Sequence, residues 1–356
     1  MKYSSFSKNN GSTGRKAAHG KNMAVWKVVV IDILVFAVCL VTFAYFHHVN
    51  PIQLKGPEPT RVIQRPTPTQ RPTETVDPST TVDPSATVDA NATPEPDWGT
   101  WGRNFPDKFA WDGKVTRTEN SYKSKNINIT VERVAIPEND MVYYVCDIYL
   151  RDIDYIKSKL AHDTFAQGTR DAQEDMVAET GAILAINGDY YGARDQGIAI
   201  RNGVVYREKA FKDVCVLYYD GTMKCFSKNE FNMDDAVRDG AYQAWGFGPM
   251  LLKDGQPMTE FDCSINSRNP RSVLGYYEPG HYCFVAVSGR RGDPPVGEGR
   301  GMTTAELSKL MYDLGCKEAY NMDGGATSML FFDGKLVNVP AGGEGRKCSD
   351  MIYIGE

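Results

Sequence analysis

The spacing of apolar residues changes twice along the chain. Residues 28–46 form one apolar run whose only charge is Asp32, and at about 1.5 Å of rise per residue a helix of this length spans a hydrocarbon core. Residues 47–97 show no apolar period, whereas periodic runs return beyond them. The pattern predicts a membrane-spanning helix, a segment with no core of its own, and a folded domain over residues 98–356.

Within the folded domain, period-two and continuous apolar runs predict strands at 127–135, 142–150 and 182–186, and helical spacing predicts helices at 152–161 and 170–179. A third helix over 304–314 has a capping box of Thr303 and Glu306, an apolar face, and Gly315 at its end. Glycine-containing turn pairs predict successive hairpins, at Asn202-Gly203, Asp220-Gly221, Asp254-Gly255, Pro279-Gly280 and Asp333-Gly334. Strands and a few helices without βαβ alternation indicate an α+β class, a single mixed head with a central β-sheet and hairpins.

The N-terminal end predicts the topology. Residues 1–27 hold six Lys or Arg and no acidic residue, which favours a cytoplasmic tail and an extracellular head. The long apolar run indicates an uncleaved signal anchor in the cell membrane, and a cleavable signal peptide is the competing interpretation.

Residues 47–97 are rich in proline, threonine and aspartate. Ten of the chain's 19 prolines lie in 51–97, and Thr-Val-Asp-Pro-Ser at 75–79 recurs at 81–85. This composition predicts a disordered, extended stalk with a reach of up to about 140 Å. The stalk is either a spacer that carries the head across a cell wall or a tether of no particular length. The aromatic cluster that follows, residues 98–111, is either a packed collar or a strip that binds sugar.

Charge and cysteines exclude other classes. A formal net charge of −5, with no basic aromatic stripe, disfavours nucleic acid as a partner. Of eight cysteines, none has Cys-x-x-Cys spacing, so a structural zinc site is not expected. Cys215 and Cys225 flank the Asp220-Gly221 turn, and only a loop with an odd number of residues brings them together.

Candidate chemistry centres on Asp323. An apolar strand precedes it, and Gly324 and Gly325 permit a turn whose N–H groups can approach a phosphate or sugar oxygen. Hydroxyls follow at Thr327 and Ser328. The alternative is an ordinary Asp-Gly-Gly hairpin turn.

Three other polar positions support the same chemistry. Arg271, after a proline, suits bidentate phosphate binding, although a surface salt bridge is the alternative. Asn187 suits recognition of sugar hydroxyls or serves as a turn residue before Gly188. Asp189 is a second carboxylate for the sugar side or a ligand for a divalent cation such as calcium or magnesium. Arg346 and the loop 288–301, with five glycines and three arginines, can also reach an anionic substrate.

These motifs resemble blocks of the phosphodiester glycosidase family, over roughly residues 115–356. The matching segments are Asn321-Met-Asp-Gly-Gly-Ala-Thr-Ser328, Ala185-Ile-Asn-Gly-Asp-Tyr-Tyr191, Gly246-Phe-Gly-Pro249, Asn269-Pro-Arg-Ser272, the helix at 304–314 and Gly345-Arg-Lys-Cys-Ser-Asp350. Two departures are Ala326, where the family has a third glycine, and Ser272-Val-Leu-Gly275 after Arg271.

The resemblance implies a hydrolase that cleaves the glycosidic bond of a sugar-1-phosphodiester. We then expect Asp323, Asp189 and Arg271 to be catalytic and the remaining candidates to bind substrate, namely Asn187, Gly188, Gly324, Gly325, Thr327, Ser328 and Arg346. A phosphorylated glycan of a wall polymer or exopolysaccharide is the expected partner. A phosphodiesterase or transferase that breaks the P–O bond, and a non-catalytic wall-binding module, are the alternatives.

Overall fold

The computed structural model describes residues 25–45, 58–66, 97–292 and 294–356. The chain divides into two compact units, Met1–Gln53 and Leu54–Glu356. The predictions for the basic tail before residue 25, for the last residue of the membrane span, 46, and for the parts of the stalk at 47–57 and 67–96, lie outside the described residues.

The first unit contains helix α1, Val25–Ala44. The segment Trp26–Phe43 is long and apolar enough to cross a membrane, and within the described part of the chain it is the one helix with this property. A membrane anchor and a signal sequence share this signature.

The second unit is rich in strands and has few helices. Its α-helices are α2 (Gln173–Thr180), α3 (Met233–Arg238) and α4 (Thr304–Asp313). Its strands, in chain order, are β1 (Arg61–Val62), β2 (Thr116–Arg117), β3 (Ser121–Lys123), β4 (Ile127–Ile136), β5 (Met141–Leu150), β6 (Ile156–Leu160), β7 (Leu184–Asn187), β8 (Ala199–Arg201), β9 (Val204–Arg207), β10 (Val214–Tyr218), β11 (Met223–Phe226), β12 (Ala241–Trp245), β13 (Met250–Lys253), β14 (Gln256–Pro257), β15 (Arg271–Glu278), β16 (His281–Val287), β17 (Gly289–Arg291), β18 (Val296–Arg300), β19 (Glu318–Asn321), β20 (Leu330–Phe332), β21 (Lys335–Leu336) and β22 (Asp350–Ile354).

Antiparallel pairing assembles these strands into three main sheets and one ribbon. The nine-stranded sheet has the order β14-β13-β19-β15-β16-β5-β4-β3-β2, the six-stranded sheet β1-β9-β8-β12-β10-β11, the five-stranded sheet β21-β20-β7-β22-β6, and the ribbon β17-β18. The mixed, sheet-rich architecture agrees with the predicted class. The prediction named one head with a central β-sheet, and the structure divides the strands among three main sheets and a ribbon.

One apolar core contacts all three main sheets. Ile148 and Phe284 of the nine-stranded sheet, Ile186 of the five-stranded sheet, and Leu217 and Trp245 of the six-stranded sheet belong to the same buried cluster. Helix α4 covers the opposite face of the nine-stranded sheet, where its apolar stripe is buried in a second cluster. The nine-stranded sheet is therefore covered on both faces, which explains the continuous apolar runs in β15 and β16.

Many of these elements agree with predictions from local sequence signals. All five glycine-containing pairs join antiparallel hairpins, β8–β9, β10–β11, β13–β14, β15–β16 and β20–β21. The capping box of α4 is present, with the Thr303 hydroxyl accepting from the Glu306 N–H at 3.2 Å. Cys215 lies opposite Cys225 across an odd-length loop, and both are free thiols.

The helix predicted at 152–161 was wrong. A 3₁₀ turn at Ile153–Tyr155 leads into strand β6, in which Ile156, Ser158 and Leu160 are buried and the lysines between them are not. The spacing of Ile153, Ile156 and Leu160 matches a helical face, but the alternation of β6 also fits a strand, and pairing with β22 decides for the strand. Helix α2 forms where predicted but begins three residues later.

The stalk prediction for 47–97 needs a correction at residues 58–66. There β1 pairs with β9 at the edge of the six-stranded sheet, and Ile63 is buried. The folded part of the chain thus includes a segment before residue 98. Trp101 and Phe109 of the aromatic cluster are also buried, and Trp101 packs edge-on against Tyr282, as a collar requires.

Candidate active site

Strand ends from all three main sheets meet at one cavity. Strand β7 ends at Asn187, β12 at Trp245 and β19 at Asn321, while β15 begins at Arg271. The adjoining loops enclose a cavity of about 290 Å³. Of the predicted site residues, Asp323, Gly324, Gly325, Arg271 and Arg346 line it. Motifs far apart in sequence therefore converge at a single place.

Asp323 is a buried carboxylate at the wall of this cavity. Its side chain accepts hydrogen bonds of 2.9 Å from the Arg346 guanidinium and 2.9 Å from the Gly324 N–H. Burial raises the pKa of Asp323, while Arg346, the Thr327 hydroxyl and the Gly324 N–H act in the opposite direction. The carboxylate thus combines limited solvation with one adjacent positive charge.

The two glycines after Asp323 are needed for close packing. A Cβ at Gly324 would lie 2.6 Å from the Pro270 carbonyl oxygen, and Gly325 has φ +73°. Their N–H groups, expected to face a ligand, are already used: Gly324 donates to Asp323 and Gly325 donates to Pro270 at 3.0 Å. The glycines line the cavity, but the site's hydrogen-bond donors toward an anion come from side chains.

Asn187 and Gly188 contact the Asp323 turn on the side away from the cavity. The Asn187 amide donates to the Asp323 carbonyl oxygen at 2.8 Å and accepts from the Ser272 hydroxyl at 2.7 Å. Gly188 is in close contact with Asp350, whose carboxylate oxygen would lie 2.2 Å from a Cβ added there. Neither Asn187 nor Gly188 is among the residues that line the cavity, although both were predicted to bind substrate.

Asp189 lies in a buried ion triad. Arg201 donates to Asp189 at 2.9 Å and to Asp350 at 2.7 Å, and all three side chains are fully or almost fully buried. The other oxygen of Asp189 accepts from the Gly246 N–H at 3.2 Å. Its carboxylate therefore has protein partners on both oxygens. Asp189 was expected beside Asp323 in the cavity, but it does not line that cavity. Burial raises the pKa of Asp350, and one of its oxygens accepts no hydrogen bond from the described residues.

Arg271 is a guanidinium without a carboxylate partner. It donates to three carbonyl oxygens, those of Met302 at 3.1 Å, Ile265 at 2.9 Å and Ser267 at 2.7 Å. No ion pair joins it to any described carboxylate, and burial lowers its pKa. The carbonyl groups fix the side chain and leave its positive charge available at the cavity, so the alternative interpretation of Arg271, a surface salt bridge, is not found among the described residues.

Two more arginines at the cavity lack a carboxylate partner within the described residues. Arg291 donates to the Asn269 side chain at 3.0 Å, and Arg194 lies 4.9 Å from the centre of the Phe247 ring. Arg291 belongs to the glycine-rich loop that the sequence predicts to reach an anionic substrate, whereas no motif in the sequence indicates Arg194. Phe247 lies in the Gly246-Phe-Gly-Pro249 block, for which the sequence predicts no role.

Arg346 joins Asp323 to an aromatic wall. Its Nε donates to the Thr327 hydroxyl at 2.9 Å, and its guanidinium lies 5.3 Å from the centre of the Tyr190 ring. Thr327 and Ser328 are buried outside the cavity, where the Ser328 hydroxyl is within hydrogen-bond distance of the Ser272 hydroxyl, at 3.2 Å. Of the polar side chains after the glycines, Arg346 alone reaches the cavity.

The cavity is strongly electropositive. Five cationic side chains line it among the described residues, and two carboxylates oppose them, Asp323 and Asp262, each paired with one of the cations. The cations left without a carboxylate are the guanidinium groups of Arg194, Arg271 and Arg291. An anionic ligand that enters this space would neutralise the positive charge of these three guanidinium groups. No group of three or more His, Cys, Asp or Glu that could hold a metal ion occurs in the described ranges.

Comparison with known proteins identifies the class of protein. Residues 180–355 match the family model for phosphodiester glycosidases, and this part of the chain belongs to that family. The catalytic domain of the zebrafish N-acetylglucosamine-1-phosphodiester alpha-N-acetylglucosaminidase has a similar fold. Its TM-score is 0.52 at 16% identity, over 68% of this chain and 88% of that one.

A bacterial relative is more similar in sequence. The SPbeta prophage-derived uncharacterized protein YomE of Bacillus subtilis strain 168 is 27% identical over 200 residues. The match covers 53% of this chain but 30% of the relative, so the chain spans under a third of that protein's length.

Proposed function

We propose that the protein hydrolyses the glycosidic bond of a sugar-1-phosphodiester at the cavity that Asp323 lines. The observation that carries this proposal is the combination of one buried carboxylate with three guanidinium groups that have no described carboxylate partner. A phosphodiester supplies the anion for the guanidinium groups, and the adjoining sugar presents an anomeric carbon to the carboxylate. The family supports the same class of reaction.

In the proposed reaction, Arg271 and Arg291 bind the phosphate through charge-assisted hydrogen bonds. The bond between the anomeric carbon and the phosphate oxygen breaks, and the electron pair stays with that oxygen as a phosphomonoester anion. Positive charge develops on the sugar and is stabilised by the Asp323 carboxylate. Water adds to the anomeric carbon and gives up one proton to solvent, so the products are the free sugar and the phosphomonoester anion. Because phosphate is a good leaving group, little proton donation is needed.

The sugar has an aromatic environment beside the carboxylate. Tyr190 and Phe247 both line the cavity and are only partly buried, so a sugar bound there would meet aromatic side chains. Guanidinium groups already lie over these rings, those of Arg170 and Arg346 over Tyr190 and that of Arg194 over Phe247. Asp189 takes a different role from the one its sequence predicted. Through the Arg201 triad it positions the turn that carries Tyr190, and with Asn187 and Gly188 this turn holds Asp323.

Helix α1 and the basic residues before it bear on the location of the protein. We infer that α1 anchors the protein in the cell membrane, with the basic residues 1–27 in the cytoplasm and the catalytic domain outside. A phosphorylated wall polymer or exopolysaccharide is the substrate class available there. Protease added to intact cells should release the domain and leave an N-terminal tag intact. Protection of the domain would contradict this orientation.

Full-length protein in detergent should release phosphomonoester from sugar-1-phosphodiesters of differing sugar and anomer. Asp323→Asn keeps the side-chain shape but loses the charge, so turnover should fall at least about 100-fold while substrate binding changes much less. Asp313→Asn on the exposed face of α4 is the matched control and should retain full turnover. Binding without turnover across the panel by the wild type would favour a wall-binding module instead.

A further inference from the structure

Residues 58–66, here called the docked segment, extend the six-stranded sheet at its edge. The Thr60 N–H donates to the Val205 carbonyl oxygen at 2.9 Å, and the Ile63 N–H donates to that of Gly203 at 2.8 Å. Strand β1 in this segment thus covers the outer edge of β9, which would otherwise be open for pairing.

Side chains hold the docked segment at both ends and in the middle. Arg61 makes a bidentate contact with Glu208, at 3.0 and 2.9 Å. Arg65 shares one guanidinium nitrogen between both Asp152 oxygens, at 2.9 and 3.0 Å, and donates from the other to Asp154 at 3.1 Å. Ile63 between them is buried in the apolar cluster of the six-stranded sheet. Main-chain pairing and a buried apolar anchor are the features by which an added strand is recognised, and the ion pairs add to them.

The domain surface is shaped for this segment. A Cβ at Gly203 would meet the Tyr219 hydroxyl of the domain first and would lie 3.0 Å from the Ile63 carbonyl oxygen, and one at Gly240 would lie 2.8 Å from the Pro66 ring. Both glycines have positive φ, +78° and +80°. The absence of side chains at these two positions leaves room for the backbone and the proline of the docked segment.

The two flanks of residues 67–96 meet at the same place on the domain. On one side, Arg65 pairs with Asp152. On the other, the neighbouring Arg151 donates to the Asp97 carbonyl oxygen at 2.7 Å, and the Thr100 hydroxyl also contacts Asp152. The described residues on either side of positions 67–96 therefore contact adjacent positions of the domain, Asp152 and Arg151.

We propose that the edge of β9, together with the space left by the missing side chains at Gly203 and Gly240, is an interaction surface for the docked segment. This non-covalent contact, here called the joint, then carries the mechanical link between the domain and the N-terminal helix. Residues 67–96 then add nothing to the reach of the domain. The chain that sets the reach is the 12 residues between Tyr45 and Glu58, which span at most about 45 Å. In this proposal the reach of up to about 140 Å expected for an extended stalk over residues 47–97 is replaced by this shorter connection.

The joint is separate from catalysis. None of residues 58–66 lines the Asp323 cavity. Cutting the chain within 67–96 should therefore leave kcat/KM unchanged as well as leaving the domain attached. This independence also means that failure of the proposed hydrolysis would not affect the test of the joint.

The test uses the full chain in detergent with an N-terminal affinity tag and a specific protease site substituted into residues 75–86. After complete cutting, the C-terminal fragment should stay with the tagged fragment during affinity capture and sedimentation. Ile63→Asp should release it, and excess free peptide of sequence 58–66 should displace it from the wild type. Cutting at a site placed in 46–57 should instead release the domain together with its docked segment.

Two controls make the outcome decisive. Leu336→Asp introduces the same charge at an exposed apolar position of β21 and should leave the fragments together. The circular dichroism spectrum of the uncut Ile63→Asp protein should match that of the uncut wild type. A match means that the fragment is released because the joint is lost and not because the domain unfolds. Separation of the wild-type fragments after cutting in 67–96, or retention of the Ile63→Asp fragment, would overturn the proposal.

Discussion

The main-chain N–H of Asp323 donates a hydrogen bond of 3.3 Å to the carbonyl oxygen of Gly188. This bond joins the turn after β19 to the turn after β7, and thus the nine-stranded sheet to the five-stranded sheet. The Asn187 amide reinforces the link by donating to the Asp323 carbonyl oxygen. The position of the Asp323 carboxylate in the cavity consequently depends on residues that do not touch the cavity.

Removing the cation beside Asp323 should change the pH profile. Arg346 lowers the pKa of Asp323 against the opposing effect of burial. In Arg346→Gln that pKa should rise, and because the reaction needs the ionised carboxylate, the acidic limb of kcat/KM should move to higher pH. The pH dependence of kcat/KM measures this shift, with Arg238→Gln on α3 as the matched control. An unmoved or acid-shifted limb in Arg346→Gln would count against Asp323 as the ionised group.

Removing the buried cation of the ion triad should destabilise the domain. Arg201→Met leaves the carboxylates of Asp189 and Asp350 buried without a cationic partner, so the free energy of unfolding should fall by about 3–5 kcal/mol. Denaturant unfolding measures the change, and Arg238→Met, at an exposed ion pair, should alter it by less than about 1 kcal/mol.

A second variant separates charge from packing in this triad. Adding Asp350→Asn to Arg201→Met removes one of the two stranded charges and should restore part of the lost stability. If Arg201→Met costs no more than its control, the triad does not hold the turn that contains Asn187 and Gly188.

Glu318 should make stability depend on pH. Burial raises the pKa of Glu318 to about 7 from an ordinary value of 4.5, although the N–H groups of Asp254 and Cys225 lower it. The folded state therefore binds this proton more tightly than the unfolded state. Its stabilising effect is complete below about pH 4.5 and is lost as the pH rises to about 7, by about 3 kcal/mol in total.

The comparison of wild type with Glu318→Gln isolates this effect, because other buried carboxyl groups titrate in both proteins. Urea unfolding at several pH values should show a smaller decline between pH 5 and 7 in the variant. Parallel curves for the two proteins would mean that Glu318 has an ordinary pKa in the folded state.

Much of the fold was predictable because its signals are local. The Asn202-Gly203, Asp254-Gly255 and Asp333-Gly334 turns adopt positive φ at both positions, which these residue types tolerate, so the hairpins follow from the dipeptides alone. Strand β6 was missed because its apolar spacing fits two periods, and only its non-local pairing with β22 resolves them. The docked segment was missed because its composition matches the stalk and the partners of its arginines, Asp154 and Glu208, lie more than 80 residues away in sequence.

The site was predictable where a motif supplies the group that lines the cavity, as for Asp323, Arg271 and Arg346. The role of Asp189 could not be deduced, since its partner Arg201 lies in an ordinary strand with no motif of its own. Arg194 was missed for a similar reason, because its proximity to Phe247 arises from the packing of two loops. Burial and partner geometry, which separate a positioning carboxylate from one that lines a cavity, are not encoded in the spacing.

The bond that breaks is the most direct test of the proposed function. If Asp323 faces the anomeric carbon while Arg271 and Arg291 hold the departing phosphate, hydrolysis in ¹⁸O-water should place the label in the released sugar and leave the phosphomonoester unlabelled. Mass spectrometry of both products after a single turnover, before the free sugar exchanges its anomeric oxygen, measures the distribution. Label in the phosphomonoester would mean attack at phosphorus and would contradict a glycosidase.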